Sequence, residues 1–323
     1  MATSVLAGLA KDKTIERGGG GRRWPDGQRN LGEPYVLFDD DFSSGFCGWR
    51  DHMGDGSGVG QTPPISLTTI RTWNGSPYAL MLSTSGRGTT SGATSATAST
   101  YKNCSRDVDS GFVTMEAWIA FGSCDVGNAV FSYDLRMDIQ SWDNAYRGFP
   151  RFVCQRFKGS NYNQRANSWS IYDDDNIAHH INSDGTDNGT QPAAIGATPH
   201  PVNVPGDNQN KMNWQHVSFT YDLSGVYSTD GVPGGYYQCT IGDQTYDLTV
   251  FDAGRHKTTP QISNDAYVFN TTAQPEQVGG QGDFRGGLNF GFALTDTPQA
   301  SAGPSWLVVG RVRGTWLPTA EVE

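Results

Sequence analysis

Two carboxylates on one face of one strand are the residues best placed to do chemistry. In the run FSYDLRMDIQSWD, Asp134 and Asp138 stand at i and i+4, and strand side chains alternate faces, so both point the same way. Paired carboxylates are what hydrolysis of a glycosidic bond uses, one as nucleophile or base and the other as acid. Arg136 falls between them on that face and is placed to pair with either. A guanidinium there holds a carboxylate ionised and favours a fixed polar network over acid–base work. Asp143 follows in the same segment, which contains no Glu. No catalytic residue is therefore assigned.

Other groupings are weaker. Arg151, Gln155, Tyr162, His179 and His180 include the types a polysaccharide lyase needs, a neutralising set and a base, but their spacing does not single them out. Asp39-Asp40-Asp41, Asp173-Asp174-Asp175 and the loop NSDGTDNG (Asn182, Asp184, Asp187, Asn188) offer the hard oxygens that calcium takes. None has EF-hand spacing, and solvated acidic turns are the preferred reading, so no metal and no cofactor is expected. His52, His200 and His256 have no evident partner, and His216 in WQHVSF reads as structural.

Binding is better represented. SWDNAYRGFPR places Trp142, Asp143, Asn144, Tyr146 and Arg147 in a loop between two strands, and NYNQRANSW adds Tyr162, Asn163, Gln164, Arg165 and Trp169. Aromatic faces stack on sugar rings, and planar polar groups hydrogen-bond their hydroxyls. Protein interfaces favour Tyr, Trp and Arg as well, so glycan and neighbouring subunit both stay open.

The elements that must position these groups are strands. Of 323 residues, 41 are glycine and 16 proline, which disfavours long helices. FVTMEAWIAFG alternates, and FSYDLRMDIQSW alternates best, with Phe131, Tyr133, Leu135, Met137 and Ile139 on one side and polar residues on the other. YVLFDDDF, YALMLSTS, RFVCQRF, SWSIY, WQHVSFTYDL, YYQCTIG, TYDLTVF, LNFGFALT and SWLVVGRVRGTW read as further strands, and Gly242-Asp243 as a hairpin turn. Residues 86–100 read as a Gly/Ser/Thr/Ala-rich loop, and 173–211 as a long polar insert. The expectation is all-β: a two-sheet antiparallel jelly-roll sandwich over residues 35–323.

Residues 1–34 form an N-terminal arm with Gly18 to Gly21 at its centre and loosely helical apolar spacing over 2–16. Its six basic residues (Lys11, Lys13, Arg17, Arg22, Arg23, Arg29) face four acidic ones, so it is mildly basic in a chain of net charge −10. That overall charge argues against nucleic acid. Such an arm is unordered unless this chain's own body or a neighbouring chain holds it, and Arg17, Arg22, Arg23, Trp24 and Arg29 are the expected assembly contacts. Five cysteines without a CxxC pair suggest buried free thiols. No signal peptide and no membrane span is evident, so synthesis and folding in a cytoplasm are expected.

The order of four pieces resembles the concanavalin-A-like (laminin-G-like) jelly-roll superfamily. They are LFDDDFSSG with Trp49, FVTMEAWIAF, NWQHVSFTYDL followed by YYQCTIGDQTYDL, and WLVVGRVRGTW, together spanning about residues 35–317. The resemblance implies this fold and a concave polar face bearing Asp134, Arg136, Asp138 and Gln155. The family's hydrolases carry E-x-D-x-x-E on one strand, which this chain lacks. Its structural calcium often takes an Asp from the last strand, where Val309-Gly310 stands here. The arm makes the chain most similar to virion proteins of tailed phages, minor tail or decoration proteins. That implies a non-enzymatic, homo-oligomeric virion component in contact with other virion proteins through the arm, with the sandwich facing outward, toward a neighbour or host-surface carbohydrate. A polysaccharide-degrading enzyme or a free carbohydrate-binding module of the same fold are the alternatives.

Overall fold

The structure, a computed structural model, describes residues 33–51, 65–84, 96–104, 111–123, 130–140, 146–148, 150–157, 168–172, 178–181, 214–223, 235–249, 268–270, 287–296 and 305–318. Among them the chain forms strands and no helix. In chain order these are β1 (Tyr35–Asp40), β2 (Arg50–Asp51), β3 (Ser66–Thr68), β4 (Ala79–Ser83), β5 (Ala96–Asn103), β6 (Phe112–Ser123), β7 (Val130–Gln140), β8 (Tyr146–Gly148) and β9 (Arg151–Phe157). There follow β10 (Ser168–Tyr172), β11 (Ala178–Ile181), β12 (Gln215–Asp222), β13 (Gly235–Ile241), β14 (Gln244–Asp247), β15 (Val268–Asn270), β16 (Gly287–Asp296) and β17 (Ser305–Leu317).

These build a two-sheet antiparallel jelly-roll sandwich. The first sheet runs β14-β13-β12-β6-β17-β4-β3, with β1 also on β17, and the second runs β11-β10-β9-β7-β16-β5-β2, with β8 and β15 attached through β7. β17 is long enough to hold β4 along Trp306–Val309 and β1 along Val312–Trp316, on the edge opposite β6.

Alternation sorts the faces. Val113, Met115, Ala117, Ile119 and Phe121 of β6, and Tyr133, Leu135, Met137 and Ile139 of β7, are buried between the sheets. Aromatic pairs cross the gap: Phe121 to Tyr133 with ring centres 4.7 Å apart, Phe38 to Phe290 at 4.9 Å, and Phe152 to Phe219 at 6.0 Å. Burying each such ring contributes roughly 1.5–3 kcal/mol, so these rows hold the sheets face to face.

Two stretches differ from the expectation. Part of the 86–100 loop is strand: β5 pairs with β16 from Ala96 to Asn103. Its small residues suit this position, since Ala98 and Thr100 are fully buried on the inner side. The polar stretch 173–211 contains β11, which pairs with β10 and buries His179 and His180. The apolar-period signal fails there because the strand is four residues long and two of its buried side chains are imidazoles, Ile181 being its one large apolar residue. The hairpin at Gly242-Asp243 is present between β13 and β14, with Gly242 at φ 67°. The helical spacing over 2–16 and the arm contacts Arg17, Arg22, Arg23, Trp24 and Arg29 lie outside the described residues.

Candidate functional site

The outer face of the second sheet gathers the polar residues of β7. Strand register lays Tyr101, Gly291, Arg136 and Arg151 side by side on β5, β16, β7 and β9. Asp134, one step along β7, receives Arg136 through Nη2–Oδ2 at 2.6 Å and Nη2–Oδ1 at 2.9 Å. From the other side Arg151 approaches the same Oδ2, with Nε at 2.8 Å and Nη2 at 2.7 Å. Arg136 Nη1 also donates to the Tyr101 hydroxyl at 3.1 Å. Arg151 in turn lies over the Tyr172 ring, 4.8 Å from its centre.

The backbone of Arg151 is held from across the core. The Tyr236 hydroxyl, on β13 of the first sheet, accepts the Arg151 N–H at 2.7 Å and donates to the Arg151 carbonyl at 3.0 Å. The guanidinium that caps Asp134 is thereby fixed by both sheets.

Electrostatics follow from this packing. Asp134 is 2 % exposed. Burial pushes its carboxyl up, but the Arg136 and Arg151 guanidiniums outweigh that and hold it below the usual carboxylate range. Burial also raises the Tyr101 hydroxyl, against the pull of Arg136. Asp134 is thus held in its anionic form within a fixed array, which opposes its donating a proton. Asp138, buried on the same face, accepts from Asn289 Nδ2 at 3.1 Å. Arg136 engages Asp134 rather than Asp138. Gln155 occupies β9 opposite Ser132, and its side chain lies outside the description.

The loop residues fare differently. Trp142, Asp143, Asn144, Tyr162 and Arg165 lie outside the described residues. Tyr146 and Arg147 belong to a short strand, β8, paired with β7 and β15, rather than to an open loop. Trp169 must be corrected: it is 1 % exposed and stacks on Phe152 at 4.6 Å, with Tyr133 edge-on at 5.7 Å. In β10 it shares the inner face with Ile171, so it belongs to the core and cannot meet a ligand. Of the lyase set, Arg151 lies on the array, His180 sits opposite Ser170 on that outer face, and His179 sits opposite Ile171 on the inner one.

Each aspartate of 39–41 has its own partner. Asp39 takes a bidentate pair from Arg311, Nε–Oδ1 at 2.7 Å and Nη2–Oδ2 at 2.6 Å. Asp40 Oδ2 accepts from Lys102 Nζ at 2.8 Å and Trp49 Nε1 at 2.9 Å. Lys102 also donates to the Cys47 carbonyl, so its ammonium bridges β1 and the following turn. Asp41 caps Ser43, whose hydroxyl and N–H bonds hold that carboxyl below its ordinary range.

A second cluster, on the outer face of the first sheet, escaped the sequence reading. Register puts His216, Trp118 and Arg311 in one row across β12, β6 and β17. The His216 ring lies 4.8 Å from that of Trp118, and the Arg311 guanidinium sits 5.3 Å above the same ring. Trp73 follows at 5.7 Å, and Trp214 meets Trp73 edge-on at 5.5 Å. His216 Nε2 pairs with Glu116 Oε1 at 2.8 Å, and this bond raises the imidazole's pKa above its ordinary value against the opposing effect of burial. The signal was in the parity: Glu116 and Trp118 share one face of FVTMEAWIAF, and Trp214 and His216 one face of NWQHV.

No family model matches the chain, and no curated protein matches it. Among solved structures it is similar to an endo-1,3-β-glucanase from Streptomyces sioyaensis, at 13% identity and a TM-score of 0.45 over 93% of this chain and 100% of that one. A Bacillus licheniformis β-glucanase gives 11% identity and a TM-score of 0.35 over 86% of this chain and 96% of that one. The CBM2 module of the evolved Dit of Lactobacillus casei BL23 phage J-1 gives 10% and 0.35 over 89% of this chain and 97% of that one.

Proposed function

We propose that the chain is a non-enzymatic, carbohydrate-binding component of a phage virion, a minor tail or decoration protein whose arm anchors it and whose sandwich presents a glycan-binding face. The observation that carries the reading is the clamp on Asp134. A carboxylate held between Arg136 and Arg151 at 2.6–2.8 Å is preorganised to orient neighbouring donors and is a poor acid. The same face offers Tyr101 and Tyr172 as rings and Asp138 and Asn289 as planar polar partners, the side-chain types that sugar hydroxyls engage. The mildly basic, glycine-rich arm supports an anchoring role on an acidic neighbour. Host-surface glycan is the expected ligand, and repeated copies in the particle would multiply a weak single-site affinity.

Incubation of the full chain with bacterial capsular and cell-wall polysaccharides tests this. Retention on one of them, without release of reducing ends or unsaturated products, is the expected result. Products that vanish in Asp134→Asn or Arg151→Gln would instead establish the polysaccharide-degrading enzyme. Particles that incorporate a chain lacking residues 1–34 as well as the full chain would remove the anchoring role.

A further inference from the structure

His216 meets one residue of the neighbouring turn at two points. The Gly242 N–H donates to the His216 carbonyl at 2.8 Å, and the ring Nδ1 lies 3.3 Å from the Gly242 carbonyl oxygen. The other ring nitrogen, Nε2, meets Glu116 Oε1 at 2.8 Å. Both ring nitrogens therefore face acceptors. A neutral imidazole carries one N–H and satisfies only one of them, whereas the imidazolium donates to both.

The surroundings favour the imidazolium. Glu116 and the Gly242 carbonyl raise the His216 pKa above its ordinary value, against the opposing effect of burial. Among the described residues, the other charged groups on the elements packed around it are Arg311 and Arg313 on β17, Asp39 on β1 and Asp243 in the turn. Arg311, 5.3 Å from the centre of the intervening Trp118 ring, is neutralised by the bidentate Asp39. Arg313 stands opposite Glu116 in the neighbouring row, and Asp243 is exposed to solvent, which screens it.

Once the ring has a single N–H, that proton goes to the stronger acceptor. Glu116 is charged and 2.8 Å away, while the Gly242 carbonyl is neutral and 3.3 Å away. The neutral ring is then the Nε2–H tautomer, and its bare Nδ1 lone pair faces the Gly242 oxygen. An attraction becomes a repulsion, and it falls on the turn that joins β13 to β14. Gly242 holds that turn at φ 67°, and β14 is a four-residue strand at the end of the first sheet, with only Tyr246 buried.

We propose that His216 is a proton-operated latch on the β13–β14 hairpin: the imidazolium clasps the turn to β12 and β6, and loss of the proton lets the turn and the edge strand β14 open. The hairpin is the element with two arrangements, and one proton selects between them. The latch lies on the first sheet and is independent of the carbohydrate-binding reading.

The ring 15N shifts of His216, followed by NMR through a pH titration of the full chain, read the latch directly. Both nitrogens should be protonated below the transition and only Nε2 above it, with a midpoint above the value of about 6.5 for an ordinary imidazole. Hydrogen exchange of the hairpin amides, corrected for its intrinsic pH dependence, should lose about three- to tenfold in protection across the same transition. β11, the edge strand of the second sheet, should show no such step. His216→Gln should abolish the hairpin step, and Glu116→Gln should move it to lower pH. If His216→Gln does not fold, the wild-type titration and Glu116→Gln decide alone. A neutral ring protonated at Nδ1, or hairpin protection that does not follow the His216 titration, would overturn the latch. So would a step that survives His216→Gln, or one of equal size at β11, which would mark a general loosening.

Discussion

Tyr101 lies across Gly291: a Cβ on that glycine would come within 2.5 Å of the tyrosine ring. The absent side chain lets the ring from β5 cross β16 and place its hydroxyl on Arg136 of β7. A methyl group at 291 lifts the ring and breaks that bond. Gly291→Ala is expected to destabilise by about 1–3 kcal/mol, the range of overpacking plus one lost charged hydrogen bond, measured by urea unfolding. Wild-type stability would show that the ring does not need the glycine.

Asp134→Asn removes the anion that two arginines share. Arg136 and Arg151 would be left with side chains only 20% and 15% exposed and no carboxylate between them. The expected loss is about 3–5 kcal/mol, as for breaking a buried pair by one partner. The pH dependence has a definite sign. The Asp134 carboxyl is depressed in the folded state, so its contribution is complete above the unfolded pKa of about 3.9 and disappears as pH falls through the lower folded value. Wild type should therefore lose stability in acid more steeply than Asp134→Asn, and equal slopes in acid denaturation would count against the clamp.

His216 acts in the opposite direction. Its folded pKa is raised, so the stabilisation it gains from Glu116 is fully present below about pH 6.5 and is lost as pH rises through the folded value. The thermal midpoint of wild type should fall across that window relative to Glu116→Gln, in which the pair is gone. Its side chain is 28% exposed, which keeps the effect small.

Lys102 ties β1 to the turn after it. Lys102→Met leaves the Asp40 carboxylate with the Trp49 indole as its donor and removes the donor to the Cys47 carbonyl. A loss of about 1–3 kcal/mol is expected in denaturant unfolding. Added calcium should not restore it, because the neighbouring Asp39 and Asp41 are already engaged by Arg311 and Ser43.

How much of this was legible in the sequence depends on the range of the interaction. The long alternating runs of β6 and β7 declared their strands, their faces and the company of Asp134 and Arg136, because alternation is local. Trp169 was legible too: SWSIY sets it on the face of Ile171, and its parity already pointed inward. β5 and β11 were hidden because their inner faces carry little apolar signal, Ala98 and Thr100 on β5 and His179 beside the single Ile181 on the four-residue β11. The row of His216, Trp118 and Arg311 was beyond reach, since strand register joins residues about a hundred or more positions apart. The partner of Arg136 was open too, since Asp134 and Asp138 flank it at equal spacing on the same face of β7.

The two strands nearest the C-terminal end of the sandwich stand in the middle of its sheets, β17 between β6 and both β4 and β1, and β16 between β7 and β5. On the ribosome, then, β1 and β4 must wait for a partner more than two hundred residues downstream. Neither sheet can be completed from the strands made first. Loop-closure entropy on that scale makes assembly slow and leaves open strand edges exposed for the length of synthesis. A nascent chain stalled before Ser305 would hold two half-sheets with bare edges, a natural client for chaperones and a natural seed for aggregation.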